Sequence, residues 1–424
     1  MATCRIAVVG AGPVGLEMAV RAVRAGMEVC LIERGSSIAA NVREWQHVEL
    51  FSSWSLNMTQ AGKEVLKEMG AVMPDEALFP TGAQLISQYL QILFDFLQKS
   101  GKCHVKLNSE LISIGRSTFL KQEHIGANGK RKGAPFRLLL QKTLADEEEL
   151  VTDCNFLIDS TGTWNQPNWC GAGGIPALGE RSLVKNGLIL QHIPDVSRTP
   201  EMFLGKRVCV VGSGASAITC VNALQKLAIA SSATIDLVWV VRRENEPYQR
   251  VENDALPQRD RLYSQGNSFY SNDSCGSEGL RVKYLKGALV QEFQHTVGGG
   301  LNVVLVQGVA AERVEEQVDV VISCVGYRPN CTLWHEVQVH QCYATSGPMK
   351  LAAALMSSSG AGGDCLAQVS HGPETLCSPE PGMLVIGMKS YGRNSAFLLK
   401  IGHQQVDDAI TLISNQLTDL SQAT

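Results

Sequence analysis

The sequence has 424 residues, of which 45% are hydrophobic and 18% are charged, and its formal net charge is −4 at pH 7. This length allows two or three domains, and the slightly acidic balance argues against a nucleic acid or an anionic membrane surface as a partner. No apolar segment approaches the roughly 20 residues of a membrane span, and a strand begins too close to Met1 for a signal or transit peptide. We therefore expect a cytoplasmic protein without a membrane span.

The first predicted strand, Ile6 to Val9, runs directly into a glycine-rich turn. In a strand–turn–helix unit of this kind, the first glycine permits a tight turn and the second lets a pyrophosphate approach the backbone. The third glycine lets the helix pack on the strand. The anion would lie at the helix N-terminus, where free N–H groups favour it. The turn has the sequence Gly10-Ala11-Gly12-Pro13-Val14-Gly15.

An acidic residue follows this turn at the distance that a dinucleotide site requires. A second buried strand, Met27 to Ile32, ends at Glu33. A carboxylate about 20 residues beyond the glycines accepts hydrogen bonds from ribose hydroxyls and repels a 2′-phosphate. The first site is therefore predicted to bind a dinucleotide without a 2′-phosphate, for which we predict FAD.

The next segments are predicted to complete the first domain. Residues 43–60 read as an aromatic-rich loop with a short helix, and residues 81–99 have helical spacing with a threonine cap at the start. Residues 105–151 are predicted to form short strands. We interpret the basic turn at 128–133 as a solvated hairpin tip.

A second strand–turn–helix unit follows in the middle of the chain. The strand Val208–Val211 precedes a second glycine-rich turn, and a strand from Ile235 to Val241 ends in Arg242 and Arg243. Two guanidinium groups at this position favour a 2′-phosphate, which indicates NADPH. The turn has the sequence Gly212-Ser213-Gly214-Ala215-Ser216-Ala217.

Two further buried strands lead into glycine turns at the edges of the nucleotide domains. Phe156–Asp159 precedes Thr161 and Gly162, and Val318–Cys324 precedes Gly326. The second glycine-rich turn lies between these strands in the sequence. This order suggests that the second nucleotide domain is inserted into the first.

The predicted fold is α/β, with two Rossmann-like dinucleotide-binding domains. The NADPH domain is expected at 200–318, and the FAD domain is expected at 1–199 and 319–424. Residues 251–279 and 343–378 are rich in small or polar residues, and we interpret them as excursions of the chain on the protein surface. These two excursions could be interaction surfaces or substrate lids.

The C-terminal part returns to regular structure. A strand at 382–387 is followed by a helical run at 395–415, as the first domain needs to complete its sheet. The N-terminus of that helix could stabilise negative charge on a flavin ring. Gly387 and Asn394 are candidate residues of this part of the site.

The 13 cysteines do not indicate a redox pair or a metal site. There is no Cys-x-x-Cys motif, and the stretch 35–43 after the first ribose acid contains no cysteine. Cys30, Cys209 and Cys324 lie inside apolar strand runs and are interpreted as small core residues.

Together, these motifs resemble those of class B flavin-dependent monooxygenases, which include the flavin-containing monooxygenases and the lysine and ornithine N-hydroxylases. The likeness covers about residues 1–330 and 379–415. It rests on both turns with Glu33 and the two arginines, on Ser160-Thr161-Gly162 followed by Pro167, and on Cys324-Val325-Gly326-Tyr327-Arg328-Pro329.

The resemblance implies FAD, NADPH, O2 and a small-molecule substrate. Residues 50–59 are similar to the family segment that ends in Asn-x-Thr, whose asparagine lies beside the flavin, and Asn57 is therefore the candidate catalytic residue. Many flavin reductases carry Gly-Asp after the last strand, whereas this chain has Gly387-Met388, which favours the monooxygenases. The candidate cofactor-binding residues are Gly10, Gly12, Pro13, Val14, Gly15, Glu33, Arg34, Trp45, Thr161, Gly162, Gly212, Ser213, Gly214, Ala215, Ser216, Arg242, Arg243, Gly326, Gly387 and Asn394.

The leading hypothesis is an NADPH-dependent FAD monooxygenase. It would insert one oxygen atom from O2 into a nitrogen or sulfur nucleophile by way of a flavin C4a-hydroperoxide. Two alternatives stay open: an NADPH-linked FAD reductase or dehydrogenase without oxygen insertion, and a non-catalytic redox-sensing flavoprotein. We interpret His47, His192 and His403 as structural. The sequence indicates neither the substrate nor the oligomeric state.

Overall fold

The strands and helices come from a computed structural model, which describes residues 5–126, 130–245, 248, 250, 254, 256–271, 276–277, 279–296, 299–358 and 370–422. The strands in chain order are β1 (Arg5–Val9), β2 (Glu28–Ile32), β3 (Cys103–Lys106), β4 (Ser109–Arg116), β5 (Phe136–Lys142), β6 (Glu148–Cys154), β7 (Phe156–Asp159), β8 (Ile189–Leu190), β9 (Arg207–Val211), β10 (Ile235–Val240), β11 (Gly276–Ser277), β12 (Leu280–Leu285), β13 (Ala288–His295), β14 (Leu301–Gln307), β15 (Glu312–Val318), β16 (Val320–Ser323) and β17 (Met383–Val385).

The helices connect these strands or cover their faces. In chain order they are α1 (Pro13–Arg24), α2 (Ala40–Glu44), α3 (Trp54–Asn57), α4 (Gln60–Glu68), α5 (Gly82–Leu85), α6 (Gln91–Lys99), α7 (Lys130–Gly133), α8 (Glu180–Lys185), α9 (Ala215–Ala230), α10 (Pro257–Ser271), α11 (Met349–Ser358) and α12 (Leu399–Gln422). A π-helical segment, Ile86–Leu90, joins α5 to α6. The predicted threonine cap is present as a capping box, in which Thr81 and Gln84 bond each other's backbone N–H groups.

The chain forms two units, and the second interrupts the first in sequence. The first unit comprises Met1–Gln166 and Arg328–Thr424, and the second comprises Pro167–Tyr327. The predicted boundaries at 199/200 and 318/319 therefore need correction. The reason is strand pairing: β8 and β16 lie outside 200–318, but β16 pairs with β9 on one side and with β8 on the other.

The first unit contains a parallel five-stranded sheet in the order β17-β7-β1-β2-β3. Successive residues of a strand face opposite sides, and the two faces of β1 are both buried. Ile6 and Val8 pack with the apolar side chains of α1, α6 and α12. Ala7 and Val9 pack with side chains of the antiparallel sheet β4-β5-β6.

The second unit repeats this plan. Its six-stranded sheet has the order β11-β12-β10-β9-β16-β8, with only the short β11 antiparallel to its neighbour. Val208 and Val210 of β9 pack with α9, and Cys209 and Val211 pack with the antiparallel sheet β13-β14-β15. The predicted α/β fold with two Rossmann-like domains is thus confirmed.

Three local predictions need correction. The described part of the basic segment 128–133 is α7, and Arg131 is buried because its guanidinium bonds the buried Glu380 carboxylate at 2.7 Å. The excursions 251–279 and 343–378 contain α10 and α11 in their described parts, and Leu351 and Leu355 of α11 are buried. Their small and polar composition concealed these helices.

The helix after the last strand begins at Leu399, later than the predicted 395. Among the residues that the structure describes, no helix combines the length and the apolar character needed to cross a membrane.

Candidate dinucleotide-binding sites

The first glycine-rich turn is held tightly by its own backbone. Gly10 has a φ of +97°, and a Cβ there would lie 2.9 Å from the Ser160 carbonyl oxygen. At Gly15, a Cβ would lie 1.9 Å from the Gly10 carbonyl oxygen. Both positions therefore require glycine for the protein's own packing, because no side chain fits there.

The middle glycine of this turn is different. Gly12 directly precedes α1 and has a φ of −81° and a ψ of −174°, which any residue can adopt. A Cβ at Gly12 would meet no described heavy atom within 4 Å beyond its chain neighbours. No described residue requires a glycine here. The open space at the start of α1, with Pro13 at its first position, fits the close approach of a pyrophosphate.

The predicted ribose acid is fixed against the same turn. Glu33 follows β2, and its carboxylate accepts the Ala11 N–H at 2.8 Å and the Gly35 N–H at 2.7 Å. A carboxylate has about four lone-pair positions, so acceptors remain for ribose hydroxyls. Arg34 lies 3.8 Å from Glu110 in an exposed ion pair, and the half-buried Trp45 packs beside Gly82.

A buried ion pair lies at the end of β7, next to the first turn. Lys389 donates to Asp159 at 2.6 Å and to the Thr161 hydroxyl at 3.0 Å, and the two charged side chains are 0% and 1% exposed. The Trp334 indole N–H donates to the same Asp159 oxygen at 2.8 Å. The candidate residue Thr161 is thereby tied to the segment Gly387–Tyr391, which follows β17.

Electrostatics favour the charged form of Asp159. Burial alone would raise the pKa of Asp159, but the Lys389 ammonium and the hydrogen bonds from Lys389, Thr161 and Trp334 outweigh it. The pKa of Asp159 is consequently lowered from its usual range. Sequence reasoning missed this pair; the only signal was an acid at the end of an otherwise apolar strand.

The remaining first-unit candidates near this strand end are in defined positions. The Gly387 N–H donates to the Gln405 side chain at 2.8 Å, and Val14 packs on Gly387. The Asn394 side chain accepts the Ala396 N–H at 2.9 Å, which stabilises the turn before α12. Gly162 has a φ of +69° and open space around its Cβ direction.

Asn57 is bound within its own segment. Its amide oxygen accepts the Ser52 hydroxyl at 2.8 Å, its Nδ2 donates to the Ser52 carbonyl at 2.8 Å, and the residue is 1% exposed. One Nδ2 hydrogen remains beyond these bonds. The structure therefore places Asn57 at the end of α3, bonded to Ser52, and leaves its role at the flavin as a prediction.

A second buried acid, Glu17 of α1, anchors the chain next to Asn57. It accepts the Thr59 hydroxyl at 2.9 Å and the Tyr89 hydroxyl, and Thr59 caps α4 through the Gly62 N–H. Burial raises the pKa of Glu17 to about 7, against the opposing effect of the hydrogen bonds from Tyr89 and Thr59.

The second glycine-rich turn has the same design as the first. Gly212 has a φ of +124°, and a Cβ there would lie 2.3 Å from the Cys324 carbonyl oxygen. Gly214 precedes α9, and a Cβ there would meet no described heavy atom within 4 Å beyond its chain neighbours. Ala217 is fully buried, and Ser213, Ala215 and Ser216 are half-buried.

The predicted phosphate-binding arginines follow the strand next to this turn. Arg242 and Arg243 are exposed and come directly after β10 and Val241. Their side chains make no ion pair among the described residues. Gly326, which follows the other neighbouring strand, β16, is exposed and has a φ of +86°.

Comparisons with known proteins agree with this architecture. Residues 5–45 match the family described as pyridine nucleotide-disulphide oxidoreductase, a match that spans β1 to α2. No curated protein matches the chain. Solved structures do match over nearly the whole length, at low sequence identity.

Three of these structures illustrate the range of similar proteins. A bacillithiol disulfide reductase from Bacillus cereus has a TM-score of 0.65 at 15% identity, covering 97% of this chain and 99% of that one. A thioredoxin reductase from T. acidophilum has a TM-score of 0.59 at 15% identity, covering 97% and 98%. An ornithine N-hydroxylase from Kutzneria sp. 744, solved with reduced FAD, NADP+ and L-ornithine, has a TM-score of 0.63 at 15% identity, covering 98% and 99%.

These similarities show the fold. It is the two-dinucleotide-domain fold of flavin oxidoreductases, and FAD and NADP(H), the predicted cofactors, are the cofactors of that group. Both disulfide reductases and N-hydroxylating monooxygenases share it, so the fold alone does not select the electron acceptor.

Proposed function

We propose that this protein is an NADPH-dependent FAD enzyme that inserts one oxygen atom from O2 into a nitrogen or sulfur nucleophile of a small molecule. One observation supports the binding of two dinucleotide cofactors: each unit has a glycine with open space in its Cβ direction at a helix N-terminus. The neighbouring strand ends in a carboxylate in the first unit and in two exposed arginines in the second. FAD, when bound, supplies the hydride acceptance and the electron transfer.

The chain's own residues would bind and orient the two cofactors. In the first unit, the start of α1 at Gly12 would hold the FAD pyrophosphate, and Glu33 would accept the ribose hydroxyls. The Lys389–Asp159 pair would keep Thr161 and the segment after β17 in fixed positions beside it. Asn57 would lie beside the flavin, with its remaining Nδ2 hydrogen as the donor.

Two observations favour oxygen over a disulfide as the electron acceptor. A dithiol reductase needs a pair of cysteines that can exchange with a disulfide, but the sequence has no Cys-x-x-Cys motif and no cysteine in the stretch 35–43 after Glu33. Gly387 is followed by Met388, where many flavin reductases carry an aspartate. Both features support the monooxygenase among the proteins that share this fold.

The test is NADPH oxidation by the purified, FAD-loaded protein with a panel of amines, thiols and thioethers. We expect NADPH and O2 to be consumed together and one panel member to gain one oxygen atom, as read by mass spectrometry. A substrate with heavy oxygen label from 18O2 would confirm the source of that atom.

The reductase alternative has its own support, since residues 5–45 match the pyridine nucleotide-disulphide oxidoreductases. A parallel assay under nitrogen with low-molecular-weight disulfides separates the two functions. NADPH oxidation that depends on a disulfide and proceeds without O2 would replace our proposal with the reductase. Bound FAD with no turnover in either assay would favour the redox-sensing flavoprotein.

A further inference from the structure

In the second unit, the carboxyl ends of four parallel strands lie at one edge of the sheet. A dinucleotide bound at this edge would have its two halves on different sides of β9. Strands β10, β9, β16 and β8 lie side by side in this order and are parallel. In such sheets a dinucleotide lies across the carboxyl ends of the strands, where the strand order reverses. Here that point is between β9 and β16.

The arginines fix the direction of the nucleotide along this edge. With the pyrophosphate at the turn after β9, the 2′-phosphate would lie towards Arg242 and Arg243, which follow β10. The nicotinamide half must then extend to the other side of β9. That side is formed by the residues that follow β16 and β8.

Two aromatic rings contact each other on this other side. Tyr327 follows β16, His192 follows β8, and the Tyr327 hydroxyl lies 3.0 Å from His192 Nδ1. The rings are stacked, with an interplanar angle of 11° and centroids 5.7 Å apart. Both residues are half-buried, so each retains some surface for a ligand. Burial raises the pKa of Tyr327, and its hydroxyl stays protonated at neutral pH.

The same edge holds polar atoms whose hydrogen bonds are incomplete. Asn168 donates two hydrogen bonds to the backbone that follows β16, from its N–H to the Gly326 carbonyl and from its Nδ2 to the Val325 carbonyl. The buried Oδ1 of Asn168 has no partner among the described residues. The buried Nε2 of Gln191, next to His192, also has none among them. Buried polar groups are nearly always bonded in native proteins, and such exceptions call for an explanation such as an absent water or ligand.

We propose that His192 and Tyr327 are positioning residues for the nicotinamide half of NADPH. This inference rests on the proposed NADPH site and names the part of it that the arginines do not reach. The stacked pair presents a flat aromatic surface, which suits the nicotinamide ring. The assignment replaces the structural role that the sequence suggested for His192.

The test uses two ligands that share one half. NADP+ contains both halves, whereas adenosine 2′,5′-bisphosphate contains only the 2′-phosphate adenosine half. Calorimetric dissociation constants of both ligands would be measured for the FAD-loaded full-length protein and for the variants His192→Ala, Tyr327→Ala and Tyr327→Phe. Arg242→Ala is the matched control on the adenosine side.

For His192→Ala and Tyr327→Ala we expect NADP+ to bind about 3- to 10-fold more weakly and the bisphosphate to bind within about 2-fold of wild type. Tyr327→Phe keeps the ring and should lie between these variants and wild type. Arg242→Ala should weaken both ligands by a similar factor. Anaerobic flavin reduction by NADPH at saturation should also be slower in the alanine variants, because a misplaced nicotinamide transfers hydride poorly.

Two results would overturn the inference. Equal weakening of both ligands in the alanine variants would show that the pair only maintains the unit's structure. No weakening of either ligand would show that the nicotinamide lies elsewhere. If wild type binds neither ligand, the proposed NADPH site itself is refuted. That outcome is distinct from the other two, because there is then no wild-type affinity that Arg242→Ala could weaken.

Discussion

The two glycine-rich turns have the same backbone arrangement although they lie in different units. In each, the first glycine has a positive φ and faces the carbonyl oxygen of a residue beyond the neighbouring strand, Ser160 in one unit and Cys324 in the other. In each, the middle glycine, Gly12 or Gly214, has open space in the Cβ direction. The backbone therefore does not distinguish the two sites.

The side chains at the neighbouring strand end do distinguish them. Asp159 of β7 is in register with the last residue of β1, and Ser323 of β16 is in register with the last residue of β9. The acid is buried with Lys389, which follows the next strand, β17. The serine hydroxyl instead accepts a hydrogen bond from the Cys170 thiol at 3.1 Å. In the first unit the acid is thus paired with a counter-charge from the segment after β17, whereas the second unit has a neutral serine at the same position.

The largest expected effect separates the two sites from each other. Gly12→Val should abolish bound flavin without unfolding the protein, because a Cβ there meets no described heavy atom within 4 Å beyond its chain neighbours and the side chain would take the space proposed for the pyrophosphate. Gly214→Val should retain the flavin and lose NADP+ binding. Flavin absorbance per protein and calorimetry with NADP+ measure these outcomes, and circular dichroism checks the fold. A Gly12→Val protein with full flavin absorbance would refute the assignment of the first site.

The second prediction concerns the buried charge that only the first unit has. Lys389→Met leaves the Asp159 carboxylate buried without its cation and should lower the free energy of unfolding by about 3–5 kcal/mol. Replacing both partners, Asp159→Asn with Lys389→Met, should recover most of this loss. Urea unfolding curves measure both changes. A double variant as unstable as the single one would contradict the ion-pair explanation.

The pH dependence of this pair follows from the sign of the shift. Because the folded-state pKa of Asp159 is lowered, its contribution to stability is present above the unfolded-state pKa. It is lost as the pH falls through the lower, folded-state value. The stability difference between wild type and the double variant should accordingly shrink in strong acid.

The features that the sequence predicted are those with local causes. A strand, a glycine turn and a helix lie within about 20 residues, and their pattern is visible without knowledge of the fold. The acid Glu33 and the pair Arg242 and Arg243 belong to the same local units. The threonine cap of Thr81 is likewise a short-range signal.

The features that the sequence did not predict depend on distant pairing. The second unit's true limits follow from β8, which is two residues long and pairs with a strand about 130 residues away. Arg131 lies in a basic segment that looked solvated, but Glu380, 249 residues later, holds it in the interior. Lys389 is 230 residues from Asp159. No local pattern encodes such contacts.

The third prediction concerns the fifth residue of the helix that follows each glycine-rich turn. Glu17 is buried in α1, whereas the equivalent position of α9 is Thr219. The pKa of Glu17 is raised from 4.5 to about 7, so it contributes stability that is fully present below about pH 4.5 and is lost as the pH rises through about 7. The cost at higher pH is about 3 kcal/mol.

Glu17→Gln should therefore flatten the stability profile between these two pH values and should raise stability relative to wild type above pH 7. Unfolding curves at a series of pH values measure this. Thr219→Val is the matched control and should leave the profile unchanged in shape. A Glu17→Gln protein with the wild-type pH profile would show that another group titrates in this range.

The smallest expected effect tests the residues that make the second site different from the first. Arg242→Ala should weaken NADPH binding by about 1.5–3 kcal/mol through loss of a charge-assisted phosphate bond, and should leave NADH binding nearly unchanged. Because Arg242 is exposed, the effect should diminish as salt is added. Arg34→Ala, the arginine after the first site's acid, should alter neither affinity. If Arg242→Ala and Arg243→Ala both keep the wild-type preference for NADPH over NADH, the 2′-phosphate does not lie at the end of β10. The second site would then bind its nucleotide without a contact between these arginines and the 2′-phosphate.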